Sequence, residues 1–393
     1  MTMTQRIDAL LSAAVQAGDV PGVAAMVTDR SGCRYEGAFG VRVLGQPAPM
    51  TTDTVGWIAS MTKAITAAGA MQLVEQGRLD LDAPAARVVP EIATIGVLTG
   101  FDADGRAQTR PAQRPITLRH LLTHTAGFGY DTWNPEVGRY QRAQGLPLMQ
   151  TGRTAALHTP LLFDPGERWN YSIGIDWAGR MIEAASGLRL GEYLTRHLFD
   201  PLGMDSTRFR ISPAMRERLA KVHQRDEEGR LAPLMDMEVT QQPEFEGGGG
   251  GLYSSVADYL KFVRMILDDG LGNGNRVLQP ATVAQMAGNR MGELRVNPMR
   301  SSMPARSLDA EFFPGVPKGW GLSFQINLTA TPTGRPAGGL MWAGLTNCYQ
   351  WIDRDSGLGG VYLTQVLPFA DRRSLPLYYA FETAVYDAVR QGG

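Results

Sequence analysis

The chain has 393 residues, 44% of them hydrophobic and 20% charged, with a formal net charge of −1. One hydrophobic core rarely grows past roughly 250–300 residues, so two interlocked domains are expected. The balanced charge and the absence of any Lys/Arg block argue against a nucleic-acid partner, and no stretch reaches the ~18 apolar residues of a membrane span.

Residues 5–18 carry Ile7, Leu10, Leu11, Ala14 and Val15 at helical spacing and end at Gly18, which predicts a helix. Two strand-like runs follow, Val23–Thr28 and Tyr35–Val41, with Asp29–Gly32 as the turn between them. Residues 60–76 read as one helix closed by Gly77 and apolar nearly all round, as in a helix buried between layers. From Ile116 to Ala220 the pattern is helix and loop, with Leu118–Leu122, Gly174–Ala185 and Leu190–Phe199 as helices. Residues 290–318, rich in Met, Pro and Ser, read as a long irregular loop, of the kind often tied to function. Strand character returns in Trp320–Asn327, Gly338–Trp342, Cys348–Asp353 and Gly359–Gln365, and Leu375–Val389 closes the chain as a helix. The expected organisation is an α/β domain built from both ends, 1–90 and 240–393, around a mainly helical domain, 91–239, with the site at their interface.

The two cysteines, Cys33 and Cys348, fit no C-x-x-C pattern. They leave one disulfide open, but free thiols in a reducing cytoplasm are the simpler reading. The N-terminus lacks a basic n-region and an unbroken apolar h-region, so no signal peptide is expected and the cytoplasm is the expected compartment.

Ser60 and Lys63 stand at i and i+3 on the predicted helix and share a face. Serine needs a neighbour to take its proton, and a lysine among apolar residues such as Met61 and Ile65 has its ammonium disfavoured. A serine near a helix N-terminus also offers its own N–H to a developing oxyanion. By itself S-x-x-K is a common chance pattern, and Ser60 as a simple helix cap is the plainer alternative. His120 and His124 imitate a zinc helix but lack the glutamate of H-E-x-x-H. The five-glycine run Gly247–Gly251 lacks the G-K-[ST] of a phosphate loop, so a tight turn into a helix near Ser254–Asp258 is expected. No G-x-S-x-G elbow is present. No metal or cofactor is expected.

Further ordered motifs surround Ser60-Met61-Thr62-Lys63. They are Leu121-Leu122-Thr123-His124-Thr125-Ala126-Gly127, Phe163-Asp164-Pro165-Gly166, Trp169-Asn170-Tyr171-Ser172, Pro201-Leu202-Gly203-Met204, and the glycine run before Leu252-Tyr253-Ser254-Ser255. Together the chain resembles, nearly end to end, the family VIII carboxylesterases of the class C β-lactamase and penicillin-binding-protein superfamily. The resemblance implies an α+β fold of the β-lactamase/transpeptidase type, an antiparallel sheet flanked by helices with a helical insertion. It implies Ser60, Lys63 and Tyr171 as catalytic residues and the backbone N–H groups of Ser60 and Leu345 as the oxyanion hole. One such donor is typically worth about 3–4 kcal/mol of transition-state stabilisation. Where β-lactamases carry a Lys-Thr-Gly triplet, this chain has Trp342-Ala343-Gly344. That change, and Ile173 where many relatives have asparagine, point away from anionic lactams toward uncharged esters. Trp342, Gly344, Phe128 and Trp133 are the expected substrate-binding residues, with Tyr130, Met291, Met299 and Met303 as further lining.

The expected activity is cleavage of a small-molecule carboxylic ester through an acyl-enzyme on Ser60. Amide hydrolysis of the β-lactamase or D-peptidase kind, acyl transfer on the same fold, and a non-catalytic binding module are the alternatives. A homodimer is left open.

Overall fold

In the computed structural model, which describes residues 2–391, both ends of the chain meet in one seven-stranded sheet. Helix α1 (Met3–Gln16) leads into the hairpin of β1 (Gly22–Asp29) and β2 (Cys33–Gly40), close to the predicted runs. Helix α2 (Thr62–Glu75) follows, then the hairpin of β3 (Val97–Phe101) and β4 (Ala107–Arg110), for which sequence periodicity offers no signal. The central helices include α3 (Leu118–Leu122), α4 (Gly174–Ser186) and α5 (Val256–Leu267). The chain ends with β5 (Lys318–Trp320), β6 (Gln325–Asn327), β7 (Leu340–Gly344), β8 (Cys348–Asp353), β9 (Leu358–Leu363) and helix α6 (Ser374–Arg390).

Strand order is β5-β6-β7-β8-β9-β1-β2, and every neighbour pair is antiparallel. Among the described residues, no strand of this sheet comes from 91–239. Successive side chains of a strand point to opposite faces. Accordingly Val23, Ala25 and Val27 of β1 pack with Ile7, Leu11 and Phe381 of the terminal helices, while Ala24 and Met26 pack in the cluster that holds Val263 of α5. Because both faces are covered at β1, that strand reads as an apolar run with little alternation.

Two predicted boundaries move for physical reasons. Trp320–Asn327 is two strands, since the chain reverses at Gly321–Phe324 through the Gly321 N–H donating to the Phe324 carbonyl. The helix expected from residue 60 starts at Thr62 and is preceded by a 3-10 turn at Ala59–Met61. Ala59 sits at φ 43, a left-handed conformation that an α-helix cannot include. Among the described residues no helix is long and apolar enough to cross a membrane.

The approach to β7 is tied to α6 by an ion pair between Arg335 and Glu382, 3.3 Å apart and both fully buried. Removing one member of such a pair strands a charge in the core. Glu382→Ala should therefore lower unfolding stability by about 3–5 kcal/mol in urea titrations. The Arg335→Met/Glu382→Leu double variant should recover most of the loss. A single variant as stable as wild type contradicts this reading.

Candidate active site

Helix α2 has no polar face to spare. Residues 62–73 are all buried, Lys63 among them, and the helix packs against α4. The Lys63 ammonium group therefore meets only what the fold brings to it. Its Nζ lies 3.1 Å from Ser60 Oγ, 3.0 Å from Tyr130 Oη and 2.5 Å from the Gly249 carbonyl oxygen. Burial pulls the Lys63 pKa down to about 7, opposed by the negative charge of Asp176. An amine in its neutral form has two N–H donors and one lone pair. The carbonyl of Gly249 and the hydroxyl of Tyr130 take the donors, which leaves the lone pair facing the Ser60 hydroxyl.

Tyr171 completes the cluster. Its ring lies 4.8 Å from Lys63 Nζ, its oxygen neighbours Ser60, and it accepts a 3.1 Å hydrogen bond from Trp342 Nε1. Burial raises the Tyr171 and Tyr130 phenols above their ordinary range, against the smaller pull of Ser60 and Trp342 on Tyr171, so both stay protonated. Nearby His124 is held neutral by burial and by the charge of Lys63.

The motif stretches prove to be braces. His124 lies beyond the end of α3 at φ 57, and its carbonyl accepts from Asn170 N–H while its ring packs 4.8 Å from that of Tyr171. Asn170 Nδ2 donates to the Phe128 carbonyl at 2.8 Å. The Leu121–Gly127 segment thereby fixes the loop that carries Tyr171, and the His120/His124 pair serves the backbone; the described residues contain no metal-ligating cluster. The glycine run wraps α2 with its carbonyls turned inward. Gly248 accepts from Thr66, Gly249 from Lys63 and Gly250 from Trp57 Nε1. A Cβ on Gly249 would fall 2.4 Å from Asp176 Oδ2, so only glycine admits the carboxylate, which accepts the Gly249 N–H at 2.9 Å. After this turn Ser255 caps α5.

On the opposite wall, β7 delivers Leu345. Gly344 approaches the Ile58 carbonyl so closely that a Cβ would lie 2.3 Å from its oxygen. Gln365 and Thr346 pin Trp57 through its backbone. Ser60 and Leu345 both line the cavity, and among the described residues neither backbone N–H donates to a protein acceptor. The cavity measures about 260 Å³ and is mainly apolar, with Met149, Phe209, Met237, Val239 and Phe245 in its walls.

Trp133 lines this cavity as expected, and so does Tyr130. Phe128 does not: it is fully buried and stacks on Trp177 in the core. Trp342 offers no face to the cavity either, since it is buried against Trp320 and Phe312 with its N–H spent on Tyr171. Gly344 contributes a close backbone approach without lining the cavity. Met291 and Met299 pack among the tryptophans and Met303 is exposed, so none of the three is lining. Sequence reasoning missed Asp176 and the wall at 237–247, where the one hint is the glycine run adjoining it.

A scan against family models matches the Beta-lactamase family over residues 7–384. The chain belongs to the β-lactamase family. Its fold is the β-lactamase/transpeptidase-like fold, and it is an enzyme of the serine hydrolase and acyltransferase class built on that fold. It is 32% identical over 395 residues to the monacolin J acid methylbutanoyltransferase of Aspergillus terreus, covering 96% of this chain and 94% of that protein. It is 32% identical to the lovastatin esterase of Penicillium rubens, covering 97% and 98%. The unliganded simvastatin synthase of Aspergillus terreus superposes with a TM-score of 0.85 at 30% identity over the full length of both chains.

If the Lys63 lone pair activates Ser60, labelling of Ser60 by a fluorophosphonate should speed up as pH rises through about 7. Asp176 favours the Lys63 ammonium, so Asp176→Asn should move that limb to lower pH. Stopped labelling reactions across pH 5–9 measure it, and an unmoved or alkaline-shifted limb contradicts the assignment.

Proposed function

We propose that the chain cleaves carboxylic esters through an acyl-enzyme on Ser60. The observation that carries this reading is the Ser60–Lys63–Tyr130–Tyr171 cluster opening onto a mainly apolar cavity. Neutral Lys63 accepts the Ser60 proton as Oγ attacks the ester carbonyl. The Ser60 and Leu345 amides hold the oxyanion. Tyr171, a protonated phenol beside Ser60, hands a proton to the departing alkoxide and recovers one from Lys63. Trp342 is a positioning residue that fixes the Tyr171 oxygen through its indole N–H. Water then releases the acyl group by the same steps in reverse.

A second reading, transfer of the acyl group to an alcohol, has its own support in the names of the methylbutanoyltransferase relatives and in the apolar cavity walls. Both readings share the acyl-enzyme and differ in the acceptor. β-Lactam hydrolysis is expected to be weak, because Trp342 stands where β-lactamases have a lysine. The free cysteines, one exposed and one buried, support the reading of a reducing, cytoplasmic setting.

A short-chain 4-nitrophenyl ester assay tests the proposal. Ser60→Ala should reduce kcat by at least about a thousandfold, Lys63→Ala likewise, and Tyr171→Phe by about 10²–10⁴. Trp342→Phe should cost about tenfold in kcat with KM little changed, as expected of a group that only orients Tyr171. Full activity in Ser60→Ala sinks the reading, and turnover of nitrocefin faster than of any ester reverses the substrate order. Adding primary alcohols and measuring new ester against free acid separates transfer from hydrolysis.

A further inference from the structure

The two N–H groups that face the cavity, those of Ser60 and Leu345, lie on segments far apart in the chain. Among the described residues no backbone–backbone hydrogen bond runs between 56–61 and the turn 343–347. Two buried side chains close the gap. The first, Gln365, is 3% exposed and stands just past the end of β9. Its Oε1 accepts the Trp57 N–H at 2.9 Å, and its Nε2 donates to the Trp57 carbonyl at 3.1 Å. The amide thus pairs with both backbone groups of one residue, as a neighbouring strand would. A Cβ on Gly56 would fall 2.9 Å from that nitrogen, so glycine makes room for it.

The same amide reaches the other arm. Gln365 Nε2 lies 3.1 Å from Thr346 Oγ1, which itself donates to the Trp57 carbonyl at 2.8 Å. Thr346 is fully buried and follows Leu345 directly, in the turn that the Asn347 N–H closes on the Gly344 carbonyl at 3.0 Å. The sheet end supports this group from behind. The Val366 N–H donates to the Thr346 carbonyl at 3.1 Å, and the His223 N–H to the Gln365 carbonyl at 2.8 Å. Trp57, Gln365 and Thr346 therefore form a closed triangle. On the other arm, Ile58 is tied to the Leu252 carbonyl, and Ala59 then takes its left-handed conformation, φ 43. Such a conformation persists only where the surroundings enforce it. Gln365 does not line the cavity, so it acts through the backbone it holds.

We propose that Gln365, acting with Thr346, is a positioning residue that sets the separation of the two oxyanion donors. This role rests on the proposed acyl-enzyme chemistry. An oxyanion hole works only if both N–H groups point to where the carbonyl oxygen stands in the transition state. A displacement of about 1 Å can cost about a hundredfold in rate. With the clamp gone, Trp57 is released from the sheet end and Ala59 can relax. The Ser60 N–H then leaves the point at which the Leu345 N–H is aimed. Ester binding draws on the apolar walls, so the ground state loses little. The loss falls on kcat, with KM nearly kept.

The test compares full-length wild type with Gln365→Leu, Thr346→Val and Thr346→Ser, each corrected for folded fraction by near-ultraviolet circular dichroism. With a short-chain 4-nitrophenyl ester, Gln365→Leu should lower kcat about a hundredfold and Thr346→Val about tenfold, while KM moves less than about threefold. Thr346→Ser, which keeps the hydroxyl, should stay close to wild type. The second readout is a phenethyl trifluoromethyl ketone followed by fluorine NMR. Ser60 Oγ adds to its carbonyl carbon, the serine proton passes to Lys63, and the former carbonyl oxygen becomes a hemiketal oxyanion between the two amides. Affinity for this ketone should fall in step with kcat/KM, which a variant that is merely less stable would not show. A folded Gln365→Leu or Thr346→Val with wild-type kcat and ketone affinity overturns the proposal, and so does a fall in kcat with ketone affinity unchanged. The isosteric Thr346→Val decides the matter should Gln365→Leu fail to fold. A hemiketal that forms in wild type and is lost in the variants, in a protein that turns over no ester, upholds the clamp and refutes the proposed function instead.

Discussion

Burial of one amine organises this protein's site. Lys63 lies on a helix closed on every side, and water cannot reach its ammonium group to solvate it. A bare charge there would cost several kcal/mol, so the group either sheds its proton or gathers partners. The fold does some of each. The partners are a carbonyl from a glycine turn, two tyrosines and a carboxylate held one peptide away, and burial outweighs them far enough to bring the pKa to about 7. A more generous set of acceptors would keep the amine permanently charged. A poorer one would leave its N–H groups unpaired in the core.

This constraint explains features that otherwise look unrelated. Gly249 has to be glycine because its carbonyl faces Lys63 of α2 while Asp176 presses where a Cβ would stand. The left-handed Ala59 lifts Ser60 out of the helix proper, so the hydroxyl reaches both the amine and the cavity. The Leu121–Gly127 stretch and Asn170 hold Tyr171 at the same point from the far side. Local strain and close backbone approaches gather at the point where several segments converge, as is common where a site is built on a rigid scaffold.

The legibility of the sequence follows from the range of the interactions involved. The terminal helices, β1, β2 and β8 were readable because their patterns are local: one face buried at period 3.6, or a short apolar run between turn residues. Ser60 and Lys63 were readable because one helical turn joins them. Tyr171 came from resemblance, since 108 residues separate it from Lys63 and no periodicity connects them. Asp176 was hidden because an acidic residue in the first turn of a helix ordinarily looks like favourable N-terminal charge. Phe128 and Trp342 misled for the converse reason. Both adjoin functional motifs in sequence, but one side chain turns into the core and the other turns to brace a tyrosine.

The division between scaffold and specificity runs along the same line. The groups nearest Ser60 are fixed by secondary structure and by buried hydrogen bonds, so they can change little without disturbing the amine. The outer cavity draws on residues 237–247 and on Arg306, whose side chains line open space. The strand beside the serine presents Trp342, an uncharged side chain whose indole N–H is spent on Tyr171. No charged side chain of that strand therefore enters the electrostatic balance around Lys63, which rests on burial and on Asp176.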